Sequence, residues 1–120
     1  MKIGDIAKQT GLTAHTLRYY ERIGLLPYVP RDASGQRDYD NSVLIWIAFL
    51  QRLKTTGMPL SEMLRYAQLR ADGPATNAER QQLLEEHRAR LRMHITDLQA
   101  ALRVLDDKIA GYAGSHINQE

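Results

Sequence analysis

The stretch Thr13–Pro27 reads T-A-H-T-L-R-Y-Y-E-R-I-G-L-L-P, and its reading decides the fold of this 120-residue chain. Thr13 is a good helix N-cap, because its hydroxyl can accept a backbone N–H that the first helical turn leaves without a partner. The helix it opens runs to about Ile23 and stops at Gly24. That one short helix carries His15, Thr16, Arg18, Tyr19 and Tyr20. Successive helical positions point about 100° apart, so Arg18, Tyr19 and Tyr20 cannot all be buried. The bland alternative packs the tyrosines on the core and pairs Arg18 with Glu21, three positions on. A basic and aromatic donor set on one exposed helix suits a nucleic-acid backbone better.

The flanks of this helix support that reading. Ile3–Gln9 is a short helix with Ile6 and Ala7 inward, closed by Thr10-Gly11-Leu12, where Gly11 can take the left-handed conformation. Two short helices joined by a tight glycine turn form the helix-turn-helix pattern. His15, Thr16 and Arg18 lie near the helix start, where such proteins meet base edges. Thr13 and the tyrosine hydroxyls suit phosphates, which position a protein rather than specify sequence. Residues 27–40 then break helical periodicity with Pro27, Pro30 and a turn at Ala33-Ser34-Gly35. Tyr28-Val29 and Arg37-Asp38-Tyr39 can pair across it as a hairpin, a wing carrying Arg31 and Arg37 with Tyr39 close behind.

A third helix is expected from Asp40 to about Thr56, ended by Gly57. Its centre, V-L-I-W-I-A-F-L, is apolar all round, so periodicity alone leaves a strand open. Length and the Asp40 cap favour a buried helix with Trp46 and Phe49 as core anchors. Pro59 fits the first turn of a fourth helix, with Leu60, Met63, Leu64 and Ala67 on one face. Thr76-Asn77-Ala78-Glu79 matches a capping box. No Pro or Gly follows until Gly111, while Leu84, His87, Leu91, Ile95, Leu98, Leu102, Leu105, Ile109 and Tyr112 recur at steps of 3 and 4. So narrow a seam suits a two-helix coiled coil. A rod that long on a small head cannot bury its seam against its own chain, so pairing with a second copy, antiparallel, is the simplest solution.

Composition excludes several classes of function. There is no cysteine, which removes disulfides, thiolate metal sites and thiol redox chemistry. The net charge of +2 is unevenly spread: residues 1–57 hold 8 Lys/Arg against 5 Asp/Glu, and residues 58–120 hold 8 against 9. The basic excess therefore travels with the helix-turn-helix. No signal peptide is visible and the longest apolar run, Val43–Leu50, is too short to span a bilayer, so a cytoplasmic protein with no membrane partner is the default. No nucleophile motif, phosphate-binding glycine loop or metalloenzyme spacing occurs, so no enzyme, cofactor or metal is expected. His87 and His94 lie seven apart on similar faces, but no carboxylate completes a metal site, and polar seam residues often serve only to fix register. His116 sits in a polar tail.

The chain resembles the MerR family of transcriptional regulators. The resemblance rests on I-G-D-I-A-K-Q-T-G-L-T at Ile3–Thr13, T-L-R-Y-Y-E-R-I-G-L-L at Thr16–Leu26, Arg31, G-Q-R-D-Y at Gly35–Tyr39 and L-K-T-T-G-M at Leu53–Met58, about half the chain in the family's order. Gln36 stands where many members have an aromatic residue, and Pro59 where a small polar cap is common. The resemblance implies a mainly α fold: a winged helix-turn-helix head at residues 1–75 with a second helical pair, a long antiparallel coiled-coil dimerisation helix at 76–112 and a short tail at 113–120. It implies a homodimer that binds a pseudo-palindrome in double-stranded promoter DNA and, as an activator, bends and untwists the spacer, so that RNA polymerase is reached indirectly through the DNA. Carried over by position, Thr13, His15, Thr16, Arg18, Tyr19 and Tyr20 serve recognition and phosphate binding. Arg31, Arg37 and Tyr39 serve the wing. Gly57 and Met58 offer backbone N–H groups to phosphate, with Lys54 nearby. Leu84, Leu91, Ile95, Leu98, Leu102, Leu105 and Ile109 form the dimer seam. The family's metal and redox members sense through cysteines, which this chain lacks. A small-molecule effector is instead expected near Trp46, Phe49 and Tyr66. Two other classes fit the same residues: an excisionase-like architectural DNA-bending protein without effector, and a coiled-coil protein-interaction module.

Overall fold

A computed structural model describes residues 1–27 and 29–114; Tyr28, expected in one flank of the wing, and positions 115–120 of the expected tail, His116 among them, lie outside these. The order of elements is α1 (Ile3–Thr10), α2 (Ala14–Arg22), α3 (Ser42–Thr55), α4 (Leu60–Asp72), a single 3-10 turn (Pro74–Thr76) and α5 (Asn77–Ala113). The chain falls into two compact units, a head at Met1–Leu84 and the stretch from Glu85 onward. The mainly helical class is as expected, down to the long C-terminal helix.

The head closes around Ile6 of α1, Leu17 of α2, Leu25 and, from α3, Ile47 and Leu50, all at most 2% exposed. The helix-turn-helix turn is held from three directions. Gly11 takes φ 76°, a conformation that costs a side-chain-bearing residue, and its N–H donates to the Ala7 carbonyl at 3.0 Å. The Thr10 hydroxyl donates to the Ile6 carbonyl at 2.8 Å and accepts the Leu12 N–H at 3.2 Å. Gln51 of α3 reaches across and donates to the Thr10 carbonyl at 3.1 Å. Thr13 caps α2 as expected, its Oγ1 accepting the Thr16 N–H at 3.1 Å.

The apolar run at 43–50 is a helix. Val43, Trp46, Ile47, Leu50 and Leu53 bury one face, but Ile45 points out with 77% of its surface exposed, so the helix is not buried all round. Trp46 satisfies its indole N–H inside the core by donating to the Leu25 carbonyl at 2.9 Å. Asp40 does accept the Ser42 N–H at 3.0 Å, but from ahead of the helix, which starts at Ser42.

Thr76 behaves differently from a capping-box residue. Its hydroxyl turns back to the Leu69 and Gly73 carbonyls at 2.6 and 2.8 Å, satisfying the end of α4 rather than the start of α5. Glu79 reaches Arg65 at 3.2 Å. Leu84, expected in the dimer seam, is partly buried against the core cluster of its own head. From Glu85 onward the helix presents Ile95, Leu98, Leu102, Leu105, Ile109 and Tyr112 to solvent, each 44–64% exposed. No helix is long and apolar enough to cross a membrane.

Leu17 is fully buried in the core of the head, so truncating it leaves a cavity. Leu17→Ala should destabilise the head by about 2–5 kcal/mol, and Thr13→Ala by about 1 kcal/mol through the lost cap. Urea denaturation followed by helical circular dichroism measures both; an unchanged midpoint for Leu17→Ala would contradict the packing described.

Candidate nucleic-acid interface

The outer face of α2 carries His15 and Arg18 fully outward, with Thr16 and Tyr20 half-buried. Tyr19 is 38% exposed, and the Arg22 guanidinium lies 5.5 Å from its ring centroid. Arg18 forms no ion pair or hydrogen bond with another described residue. The acid that could neutralise it, Glu21, is already held from the other side: Arg37 donates its Nε to Glu21 Oε2 at 2.6 Å, and the Tyr39 hydroxyl donates to the same oxygen at 3.4 Å. Thr13 is engaged as the cap, its hydroxyl donating to Thr16 Oγ1 at 3.0 Å.

The wing is a compact loop rather than a two-stranded hairpin. Among the described residues its ladder is one antiparallel bridge, Arg31 with Arg37. Asp38 donates to the Pro30 carbonyl at 3.0 Å, but Pro30 has no N–H to return, so pairing cannot extend on that side. Asp32 organises the tip: its Oδ1 accepts the Ser34 N–H at 2.9 Å, the Ser34 hydroxyl at 2.7 Å and the Gln36 N–H at 3.1 Å, while its other oxygen meets Lys2 Nζ. Lys2 first, then Ser34, hold the Asp32 carboxyl well below the usual carboxylate range, and the Lys2 ammonium is raised in return. Arg31 is exposed and donates to the Gly35 carbonyl at 2.8 Å.

Two predicted contacts are corrected here. Tyr39 is 2% exposed and belongs to the core, its phenol pushed up from its ordinary value first by burial and then by Glu21; it supports the wing and presents no surface to a ligand. The Gly57 and Met58 N–H groups donate to the Lys54 and Leu53 carbonyls at 3.1 and 2.9 Å, closing the end of α3, so neither amide is open to phosphate. Lys54 itself is exposed. Sequence reading missed Glu21, Lys2 and Asp32 as organisers. The Asp32-Ala33-Ser34-Gly35 order did carry an Asx-turn signal. Nothing local marks Lys2 or Glu21, whose partners are distant in sequence.

The three aromatics singled out for an effector do meet. Trp46 and Tyr66 stack at 5.9 Å with 15° between planes, and Phe49 lies 5.6 Å from Tyr66. Arg70 sits 4.4 Å above the Trp46 ring. Beside them, Trp46, Leu25, Leu26, Pro27 and Arg70 help to line a cavity of about 220 Å³. A second, of about 330 Å³, lies between α2 and α3 against Tyr20, Gln51 and Lys54. Among the described residues no cluster of three or more His, Asp or Glu could hold a metal ion.

Residues 2–39 match the family model described as MerR family regulatory protein, and residues 44–108 match the model described as MerR, DNA binding. The chain belongs to the MerR family. It is 44% identical over 91 residues to the HTH-type transcriptional regulator AdhR of Bacillus subtilis, across 76% of this chain and 65% of that protein's length. A MerR family transcriptional regulator from Listeria monocytogenes superposes with a TM-score of 0.89 at 35% identity, covering 97% of this chain and 87% of the other. HiNmlR, a MerR family regulator lacking the sensor domain and solved bound to promoter DNA, superposes with a TM-score of 0.84 at 36% identity, covering 94% and 90%.

In this MerR chain the wing tip depends on the Asp32 carboxylate. Asp32→Ala should speed hydrogen exchange at the Ser34 and Gln36 amides while leaving Leu17 and Leu50 protected. Because the folded carboxyl lies below its ordinary value of 3.8, its contribution is complete above about pH 4 and is lost as pH falls through the depressed value. The same amides should therefore keep their protection from pH 7 down to about pH 4 in the unmodified chain.

Proposed function

We propose that this MerR-family chain is a transcriptional regulator that binds a promoter pseudo-palindrome as a homodimer and controls transcription by distorting the DNA between the half-sites. The observation that carries the reading is Arg18: an exposed guanidinium on a rigid helix, its neighbouring acid held elsewhere by Arg37. In this reading His15, Thr16 and Arg18 face base edges, and Tyr19, Tyr20, Arg31 and Lys54 take phosphates. Arg37 acts by holding the wing to α2. The related HiNmlR, bound to promoter DNA at 36% identity, supports the same use of the head. The exposed seam of α5 supports pairing of two copies, which would fix the separation of two recognition helices. Specificity would then come partly from the energy of deforming the spacer, and polymerase would respond to the deformed DNA rather than to the protein. Chemistry plays no part; the protein works in the cytoplasm as a binding switch.

Fluorescence anisotropy with a promoter fragment tests the reading. Arg18→Ala should weaken binding by about tenfold or more and relax the sequence preference at the base pair it meets, whereas Lys54→Ala should weaken binding to all sequences alike and lower the slope of log affinity against log salt by about 1. Arg18→Ala binding like the unmodified protein would defeat the assignment. Glu21→Gln should also weaken binding, because the wing loses its ion pair to α2.

We further propose that a small apolar or aromatic effector acts beside Trp46, Phe49 and Tyr66, where ring surface, Arg70 and a cavity of about 220 Å³ lie together. Titrating candidate compounds should change Trp46 fluorescence saturably, and Tyr66→Ala should abolish that response. A response that survives in Tyr66→Ala would place the ligand elsewhere.

A further inference from the structure

We propose that two copies of α5 pair in one defined antiparallel register, with Arg92 facing Asp106 of the partner subunit at two equivalent places and Gln99 on the two-fold axis. The inference rests on the homodimer reading above and adds what selects the partner and its alignment.

The apolar seam of α5 is exposed from Ile95 to Tyr112. Setting Ile95, Leu102 and Ile109 at heptad position a puts Leu91, Leu98, Leu105 and Tyr112 at d. One flank of that seam, position e, then carries Arg92, Gln99 and Asp106; the other, position g, carries His94, Ala101 and Lys108. In an antiparallel pair a faces d, and each flank faces its own copy. Arg92 and Asp106 are exposed, and neither has an ion pair with another described residue of its own chain.

Only a few registers keep a against d. The one that sets Ile95 opposite Leu105 of the partner subunit also sets Leu98 opposite Leu102 of the partner subunit and Leu91 opposite Ile109 of the partner subunit. Every seam residue from Leu91 to Ile109 then has an apolar neighbour. On the e flank the same alignment brings Arg92 to Asp106 of the partner subunit and Gln99 to Gln99 of the partner subunit. Two-fold symmetry repeats the ion pair, as an isologous interface requires. Arg88 falls against Tyr112 of the partner subunit, a cation beside an aromatic ring. Sliding one heptad in one direction sets Glu85 against Asp106 of the partner subunit, two like charges. Sliding the other way carries Leu91 past Ala113, the last residue of α5. The g flank sets His94 against Lys108 of the partner subunit and offers no attraction, so the e flank does the selecting.

Charge reversal tests this directly. Arg92→Glu alone and Asp106→Arg alone each place two like-charge pairs in a homodimer, and each should raise the dimer dissociation constant by roughly tenfold. The double variant Arg92→Glu/Asp106→Arg should restore it. Mixing the two single variants should yield mainly heterodimers by native mass spectrometry, because both pairs are then attractive. The absence of native cysteine lets Gln99→Cys and Ala89→Cys be spin-labelled singly. Labels at 99 should lie side by side, and labels at 89 about 33 Å apart along the axis. Heterodimer selection with these distances upholds the register. A stable dimer whose variants mix at random, or whose labels at 89 are adjacent, overturns the register and leaves pairing through α5 standing. A monomeric unmodified chain overturns the homodimer reading itself.

Discussion

One carboxylate, that of Glu21, ties α2 to the wing. Set between α2 and the wing, it takes the Arg37 Nε at 2.6 Å and the Tyr39 hydroxyl at 3.4 Å. A partly buried carboxylate without such partners would be costly, so the arrangement fixes both sides at once. It joins α2 to the loop that follows it, and it withdraws the acid that would otherwise neutralise Arg18. The start of the chain completes the clamp: the Met1 amino group donates to Asp38 at 3.1 Å and to the Tyr39 carbonyl at 2.7 Å, and Lys2 meets Asp32. The wing is thus anchored to α2 and to the N-terminus before any ligand arrives, which is the preorganisation a DNA reader needs.

The division between ligand-facing and supporting residues runs through the motif itself. Arg18 and Arg37 are chemically identical and both lie in family-like patterns, yet Arg18 is exposed and unpaired while Arg37 is half-buried and paired with Glu21. Tyr19 is 38% exposed, whereas Tyr39 is 2% exposed. A side chain's chemistry says which contacts it can make; its distance to an acid such as Glu21 says which it does make.

Elements governed by neighbours within about four residues were legible in advance. Gly11 ends α1, Thr13 caps α2 and Gly57 ends α3, because capping geometry involves only local atoms. The errors arise where a local signal had two possible uses. Gly57 can serve as a helix stop or as an amide donor, and the stop consumes the amide. Thr76 and Glu79 had the order of a capping box, but the free carbonyls of α4 and the guanidinium of Arg65 compete for the same side chains. The wing lies where the sequence pattern puts it but lacks paired strands, because Asp32 satisfies Ser34 and Gln36 without a partner strand.

Interactions a few residues long specify the helices, the turn at Gly11, the Thr13 cap and the apolar periodicity of α5, and these are legible in the sequence alone. It could not say which copy of what covers that periodic stripe: Leu84 has the same spacing as Leu91 and Ile95, yet it is held by its own head while Ile95 is 44% exposed. Tertiary structure alone made that choice, and it alone set Glu21 against Arg37 and Tyr39 across 16 and 18 residues. Periodicity records that a face must be buried; only the packed chain decides against what.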